Sequence, residues 1–419
     1  MYIMNNLLKG RLLPVRLLMT ITALALVGIG IAVIYAVANP AGSSPNGDLS
    51  TLWKKQIFFA AIGIAGFIAV NLVNYRWLGT QSYWIYAIML FLLVVLLIDK
   101  YLINLPFVPV INGTRRWLRI GTSSRFLQIQ PSEFCKLIYI LALAWYLRYR
   151  SNYRKFNALI GPFALTILPT VLILLEPDLG TVLLMIPVFL VMLFVAGAKI
   201  KHLLMIILLA ILISPAMWHF MEGYQRTRIS SVLLQFNWIR QKAQTSPTFA
   251  RILVGKDRKF STRQWQRDWG YHLIRSKYAV ASGGKTGYGY RKGPFIKYNF
   301  LPERHNDFVF AIVAHQWGFF GCLGLLGLYA VIIGCGLEIA AHNTDPFGRL
   351  LAIGVVAMFA VEVIVNISMT LGLMPITGLT LPLVSYGGSS LLVSLAAIGL
   401  LNNVGQNRPF GASRKTDTF

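Results

Sequence analysis

The sequence predicts an all-α polytopic membrane protein with about ten transmembrane helices and one long extracytoplasmic loop between the seventh and eighth. Three observations carry that expectation. Of 419 residues, 56% are hydrophobic and 13% charged, and mean hydropathy is +0.62, a membrane composition rather than that of a soluble enzyme. Apolar runs close to the roughly 17–25 residues that a span requires recur along the chain. One polar stretch, Met221–Asn306, interrupts them.

Taken in order, the candidate spans centre on residues 17–38, 56–74, 83–98, 133–147, 157–175, 179–198, 202–219, 307–337, 350–373 and 383–404. The third and fourth are short and need flanking residues. Ahead of the first stand Lys9, Arg11 and Arg16, and Ala36-Val37-Ala38 imitates a cleavage site. Its apolar run is too long for a signal peptide, so an uncleaved helix is expected. Basic residues at 148–155 (Arg148, Arg150, Arg154, Lys155), Lys199 and Lys201, and Arg408, Arg414 and Lys415 all fall on one side of a ten-span topology. That side is cytoplasmic by the positive-inside rule. The expected organisation is helices 1–7 over 1–220, the extracytoplasmic loop over 221–306, helices 8–10 over 307–404 and a cytoplasmic tail over 405–419. Within the loop, 229–239 and 265–281 carry apolar residues at helical spacing and suit amphipathic helices on the membrane. The basic run 256–267 reads as loop. There is no internal repeat or low-complexity tract.

Lysines and arginines number 39 against 14 acids, a formal charge of +25. Membrane lipids with anionic head groups, or an anionic lipid substrate, are the indicated partners. Nucleic acid is not, because the basic residues are scattered among spans rather than gathered in a soluble module. Cys135, Cys322 and Cys335 lie in or beside apolar runs without a CxxC pair, which supports neither a disulfide framework nor a zinc site.

The densest polar junction is Asn299–Phe308, where Glu303, Arg304, His305 and Asp307 crowd the mouth of an apolar run. An acid there reads either as a helix cap or as a functional site. Arg115 and Arg116, in a short outer loop with no acid between Asp99 and Glu133, read as a rim on lipid head groups or as guanidinium forks for phosphate. Asn112-Gly113-Thr114 is a sequon, a match that arises readily by chance. Ser282–Gly289 contains Gly284-Lys285-Thr286, but Ala279 stands where a Walker pattern needs glycine. A turn, or an anion pocket of backbone amides near Lys285, are the remaining readings. Ser132 suits a cap, with Glu133 and Lys136 paired at i,i+3. Glu176-Pro177-Asp178 is a sharp turn whose Asp178 caps the next helix. Gly378–Ser390, with Ser385 and Ser389, either packs helices closely or leaves backbone free to line a cavity. Glu362 and Asn366 share a helix face.

Together, Asn112–Leu118, Gln130–Lys136, Pro177–Thr181, Ser282–Gly289, Phe300–Phe310 and Thr377–Ser390 resemble, in order, the motifs of the SEDS family (shape, elongation, division and sporulation), typified by RodA and FtsW. The resemblance covers most of the chain. It implies a ten-span peptidoglycan glycosyltransferase of the bacterial cytoplasmic membrane, acting on its extracytoplasmic face. The implied substrate is lipid II, a disaccharide–pentapeptide on undecaprenyl diphosphate, and the implied partner a class B penicillin-binding protein transpeptidase. The family's catalytic aspartate falls on Asp307. Arg115, Arg116, Glu303, Arg304, His305, Lys285, Ser385 and Ser389 are the accompanying substrate-binding candidates. A divalent cation, Mg or Mn, is an option that the sequence does not display. The chain departs from the family at Ala314-His315-Gln316-Trp317-Gly318, where paired acids commonly precede the glycine. Short tails favour a RodA-like role in elongation. The alternatives are a lipid II flippase, which needs a site near the midplane, and a structural scaffold.

Overall fold

The computed structural model describes residues 12–42, 47–111, 114–122, 125–149, 159–221, 223–255 and 260–406. The sequon at Asn112, the basic residues Lys9, Arg11, Arg150, Arg154, Lys155, Arg408, Arg414 and Lys415, and the start of the basic run, 256–259, lie outside them.

Long helices occupy all ten expected positions: α1 (Leu13–Ala38), α2 (Leu52–Leu72), α3 (Tyr75–Tyr101), α4 (Pro131–Leu147), α5 (Ile160–Leu175), α6 (Leu179–Val195), α7 (Ile200–Phe220) and, beyond the insertion, α14 (Val309–His342), α15 (Pro346–Thr370) and α16 (Gly388–Val404). By length and composition α1, α2, α3, α14 and α15 suffice to cross a membrane, and α5, α6, α16 and most of α7 are shorter apolar helices. Their ends follow local chemistry. Asn74, Asp178 and Asp345 accept from the first-turn amides of Arg76, Thr181 and Phe347 and start α3, α6 and α15. Proline opens α1, α4 and α15, where its missing N–H costs nothing. The third span is not short: the Asn74 cap starts it well ahead of the apolar run.

α2 lies along α16, α14 packs on α15 and α1, and α15 also holds α4 and α6. α15 is thus the central helix, and its side chains are the most buried of the long apolar helices. Lys136 crosses from α4 to α15, 2.9 Å from Glu133 and 2.6 Å from Glu362, with 1% of its side chain exposed. A buried ammonium between two carboxylates is costly to unpair. The i,i+3 pair read from sequence is one half of this bridge.

The all-α expectation holds, with one small addition: β1 (Leu118–Thr122) and β2 (Arg125–Ile129) form an antiparallel pair with Leu118 opposite Ile129. Two expectations need correction. The last helix starts at Gly388, and residues 373–387 run as an irregular segment ahead of it. The insertion folds as α8 (Gly223–Leu233), α9 (Asn237–Thr245), α10 (Pro247–Val254), α11 (Thr262–Arg267), α12 (Tyr271–Gly283) and α13 (Pro294–Lys297). Turns at 234–236 and 268–270 therefore split both expected amphipathic helices, and part of the expected loop is α11. Around Trp265 these helices bury a small core of their own, with Leu234, Ile239, Leu253 and Val254.

α14 is broken at Gly318, whose φ of 60° and ψ of −157° lie outside the helical region. The glycine-rich segment fills the break. Amides of Tyr288 and Gly289 bond the carbonyls of His315 and Gln316, and amides of Phe319 and Phe320 bond the carbonyls of Gly284 and Lys285. A β-carbon at Gly318 would stand 2.5 Å from the Lys285 carbonyl carbon, so glycine is required by space as well as by conformation.

Candidate functional site

The turn at 301–308 carries Asp307 to the end of the bundle that bears the insertion. Glu303 reverses the chain with a φ of 49°, Asn366 of α15 donates to the Asp307 carbonyl at 2.9 Å and to that of Leu379 at 2.7 Å, and His272 of α12 stacks on Phe308 with centroids 6.1 Å apart. One amide side chain thereby ties the turn to the irregular segment before α16.

Between them opens a cavity of about 1040 Å³. Asp307, Glu303 and Asn306 line one side, Thr377–Thr380 and Tyr386–Ser390 another, and Arg115, Arg116, Gln128 and Gln130 of the hairpin region a third. Asp307 is part-exposed, into the cavity that it lines. Among the described residues no hydrogen-bond donor reaches its carboxylate. Burial first, then the charge of Glu303, pushes that carboxyl up to about 6, with Arg228 pulling it back. Gly378, at a φ of 80°, keeps space open beside it: a β-carbon there would lie 3.7 Å from Asp307 Oδ2.

Five cations line the same cavity: Lys55, Lys100, Arg115, Arg116 and Arg228. Arg115 is held 2.9 Å from the buried Asp99 carboxylate. Arg116 donates to the carbonyls of Glu176 and Pro177. Opposite Asp307, Asp178 combines its capping role with bonds from Ser132 at 2.9 Å, Thr181 at 3.0 Å and Gln130 at 3.2 Å. Glu176 is 2% exposed, and neither carboxyl oxygen has a hydrogen-bond partner among the described residues. Burial, then the neighbouring charge of Asp178, pushes it up to about 9, against the pull of Arg116 and Lys100. It is a neutral acid at neutral pH.

The structure therefore brings Asp307, Glu303, Arg115, Arg116 and Ser389 to one cavity. Ser389 accepts from the Gln130 amide at 3.0 Å. The other candidates stand outside its lining. Arg304, 1% exposed, donates to the carbonyls of Phe295 and Ile296; burial brings its guanidinium down to about 10. His305 packs on Tyr386 at 5.8 Å. Ser385 bonds the Asn306 carbonyl at 2.7 Å and the Leu381 amide at 2.9 Å. Lys285 joins the brace of α14 through its carbonyl, and the amides of Gly287, Tyr288 and Gly289 are taken by other carbonyls. His315 and Gln316, at the family's acidic positions, serve that brace too: Ser282 Oγ lies 2.7 Å from His315 Nδ1, and Gln316 accepts from the Arg291 amide at 2.9 Å. Among the described residues no group of three or more His, Cys, Asp or Glu is placed to hold a metal ion. Lys55, Lys100 and Arg228 carried no local pattern that would have separated them from the other basic residues.

Known proteins share this architecture. The chain is 33% identical to the peptidoglycan glycosyltransferase RodA of Treponema pallidum over 92% of its length and 96% of that protein. It is 33% identical to stage V sporulation protein E of Bacillus subtilis, over 93% and 96%. It is 32% identical to the peptidoglycan glycosyltransferase MrdB of Escherichia coli, over 87% and 88%. Among solved structures, a chain from a work on the structural coordination of polymerization and crosslinking by a peptidoglycan synthase complex aligns with a TM-score of 0.71 at 29% identity, over 93% of this chain and 97% of that one. The rod shape determining protein RodA of Thermus thermophilus aligns with a TM-score of 0.62 at 27% identity, over 93% and 96%. Residues 16–409 match the family model for the FtsW, RodA and SpoVE cell cycle proteins, and the chain belongs to that family.

Proposed function

We propose that the chain is a peptidoglycan glycosyltransferase that polymerises lipid II at the outer face of the cytoplasmic membrane, with Asp307 as general base. The observation that carries this reading is the Asp307 carboxylate: it has no hydrogen-bond donor among the described residues, and it faces a cavity of about 1040 Å³ that five basic side chains also line. In the reaction, Asp307 accepts the proton of a sugar hydroxyl as its oxygen bonds the anomeric carbon of the second glycan. The bond from that carbon to the lipid diphosphate breaks, and its electron pair leaves with the diphosphate. Arg115, Arg116 and their neighbours offset the charge that develops there. A carboxyl near 6 is ionised at neutral pH, yet more basic than a solvated aspartate.

Two finer assignments belong to this reading. The partner is a crosslinking transpeptidase of the class B penicillin-binding type, supported by the relative studied in a peptidoglycan synthase complex. The role is elongation, so depletion should give rounded rather than filamentous cells. The decisive experiment is lipid II polymerisation by purified protein with its partner. Asp307→Ala should abolish glycan product while leaving the protein folded and partner binding intact; full activity in that variant would remove the general base. Movement of labelled lipid II across liposomes without polymer would favour a flippase instead.

A further inference from the structure

A second cavity, of about 450 Å³, lies in the insertion between α8–α9, α11 and α12. Arg240, Arg267, Arg275 and Lys277 line it, together with Trp265, Tyr271 and Tyr278. Among the described residues no acid contributes to the lining. Asp268, the nearest acid in sequence, is in no salt bridge among the described residues, and neither is any of the four cations.

Three of the four cations are held by neutral groups. Arg240 lies 5.5 Å over the Trp265 ring, and Arg275 lies 5.2 Å over Tyr271 and 5.4 Å over Phe300. Lys277 Nζ donates to Gln235 Oε1 at 2.8 Å. Aromatic faces and amides position a cation without cancelling its charge. Converging positive groups left unneutralised repel one another, an arrangement that an anion relieves. An ordinary solvated basic face does not gather its charges around a cavity on aromatic supports, one of which, Trp265, is 2% exposed.

The surroundings indicate where the anion comes from. Gln235 also donates to the Gly372 carbonyl at 2.8 Å, which places the cavity at the outer end of α15. Beside it, Phe236, Trp238, Leu371 and Leu373 are 55%, 64%, 38% and 71% exposed. Exposed aromatic and aliphatic side chains at that level mark the membrane interface. The geometry points to a site for the phosphate of an anionic phospholipid head group from the outer leaflet, held by Arg240, Arg267, Arg275 and Lys277, separate from the Asp307 cavity.

The test reads lipid binding and needs no polymerase activity, so it stands or falls apart from the assignment of Asp307. Full-length protein is released for native mass spectrometry from nanodiscs of phosphatidylglycerol and phosphatidylethanolamine. The wild type should retain phosphatidylglycerol preferentially. Arg267→Gln, at an exposed position, and the Arg240→Gln/Arg267→Gln/Arg275→Gln/Lys277→Gln combination should lose that preference severalfold, the single variant keeping the wild-type Tm. Equal retention by wild type and Arg267→Gln at unchanged Tm would overturn the proposal. So would displacement of the retained lipid by inorganic phosphate, which would make the ligand a soluble anion.

Discussion

A carboxyl raised to about 6 by burial and by Glu303 makes its own pH signature. Asp307 accepts a proton only when ionised, so kcat/KM should rise with pH through about 6 and then level off. The stability effect has the opposite sign. Because the folded pKa lies above the unfolded one, the folded state loses stability as pH rises from about 4 to 6, and the full cost is present at pH 7. Asp307→Asn should thus be inactive yet more stable at pH 7, by up to about 3 kcal/mol, since each tenfold change in proton affinity is worth about 1.4 kcal/mol. The gain is read as a higher Tm. An unchanged or lower Tm would contradict the burial argument. Glu176 gives a second case. Being neutral already, it should tolerate Glu176→Gln with polymerisation within a few-fold of wild type, whereas a charged role would show as a loss of orders of magnitude. Sequence placed Asp307 at a polar junction but could not sort its neighbours. The turn that begins at Glu303 sends successive side chains in different directions, so Arg304 and His305 face the fold while Asp307 faces the cavity. Adjacency in the chain was a poor guide to adjacency in the site.

The helices were legible because long apolar runs leave the backbone only one way to satisfy its hydrogen bonds in a membrane. The hairpin was not, since five-residue strands in an arginine-rich loop give little periodic signal. Nor was the break in α14, which depends on a partner segment some thirty residues upstream. The Ser282–Gly289 and Ala314–Gly318 stretches, read separately as a glycine-rich turn and a departure from the family, are two halves of one brace. That pairing fixes the direction of the first turns of α14, which immediately follow Asp307. Gly318→Val would force a branched side chain into a left-handed φ and against the Lys285 carbonyl. It should cost roughly 2–4 kcal/mol of stability, read as a lower Tm, and reduce polymerisation while leaving Asp307 chemically intact. A wild-type Tm and rate would show that the brace is dispensable.

The two ends of the bundle are built differently. At one end lie the cavity and the insertion. At the other, Arg76 and the Tyr75 hydroxyl close on Asp345, at 3.0 and 2.9 Å, and tie the α2–α3 turn to the α14–α15 turn. α14 connects these ends. Its 34 residues would extend about 51 Å as a straight helix, well beyond a hydrocarbon core of about 30 Å. Broken at Gly318, it leaves residues 319–342, about 36 Å, to cross the core, and frees the segment from Val309 to Trp317 to serve the site above it. We propose that the Asp307 end faces out and the His342 end faces in, the orientation that the basic flanking residues imply. Cysteine labelling in intact cells checks it. The native thiols are buried or half-buried, so background reaction with a membrane-impermeant maleimide should be low. Tyr298→Cys, at an exposed position beside the site, should label without permeabilisation, and His342→Cys only after it. The reverse pattern would put the cavity on the cytoplasmic side, away from any extracytoplasmic glycan, and polymerisation there would have no acceptor.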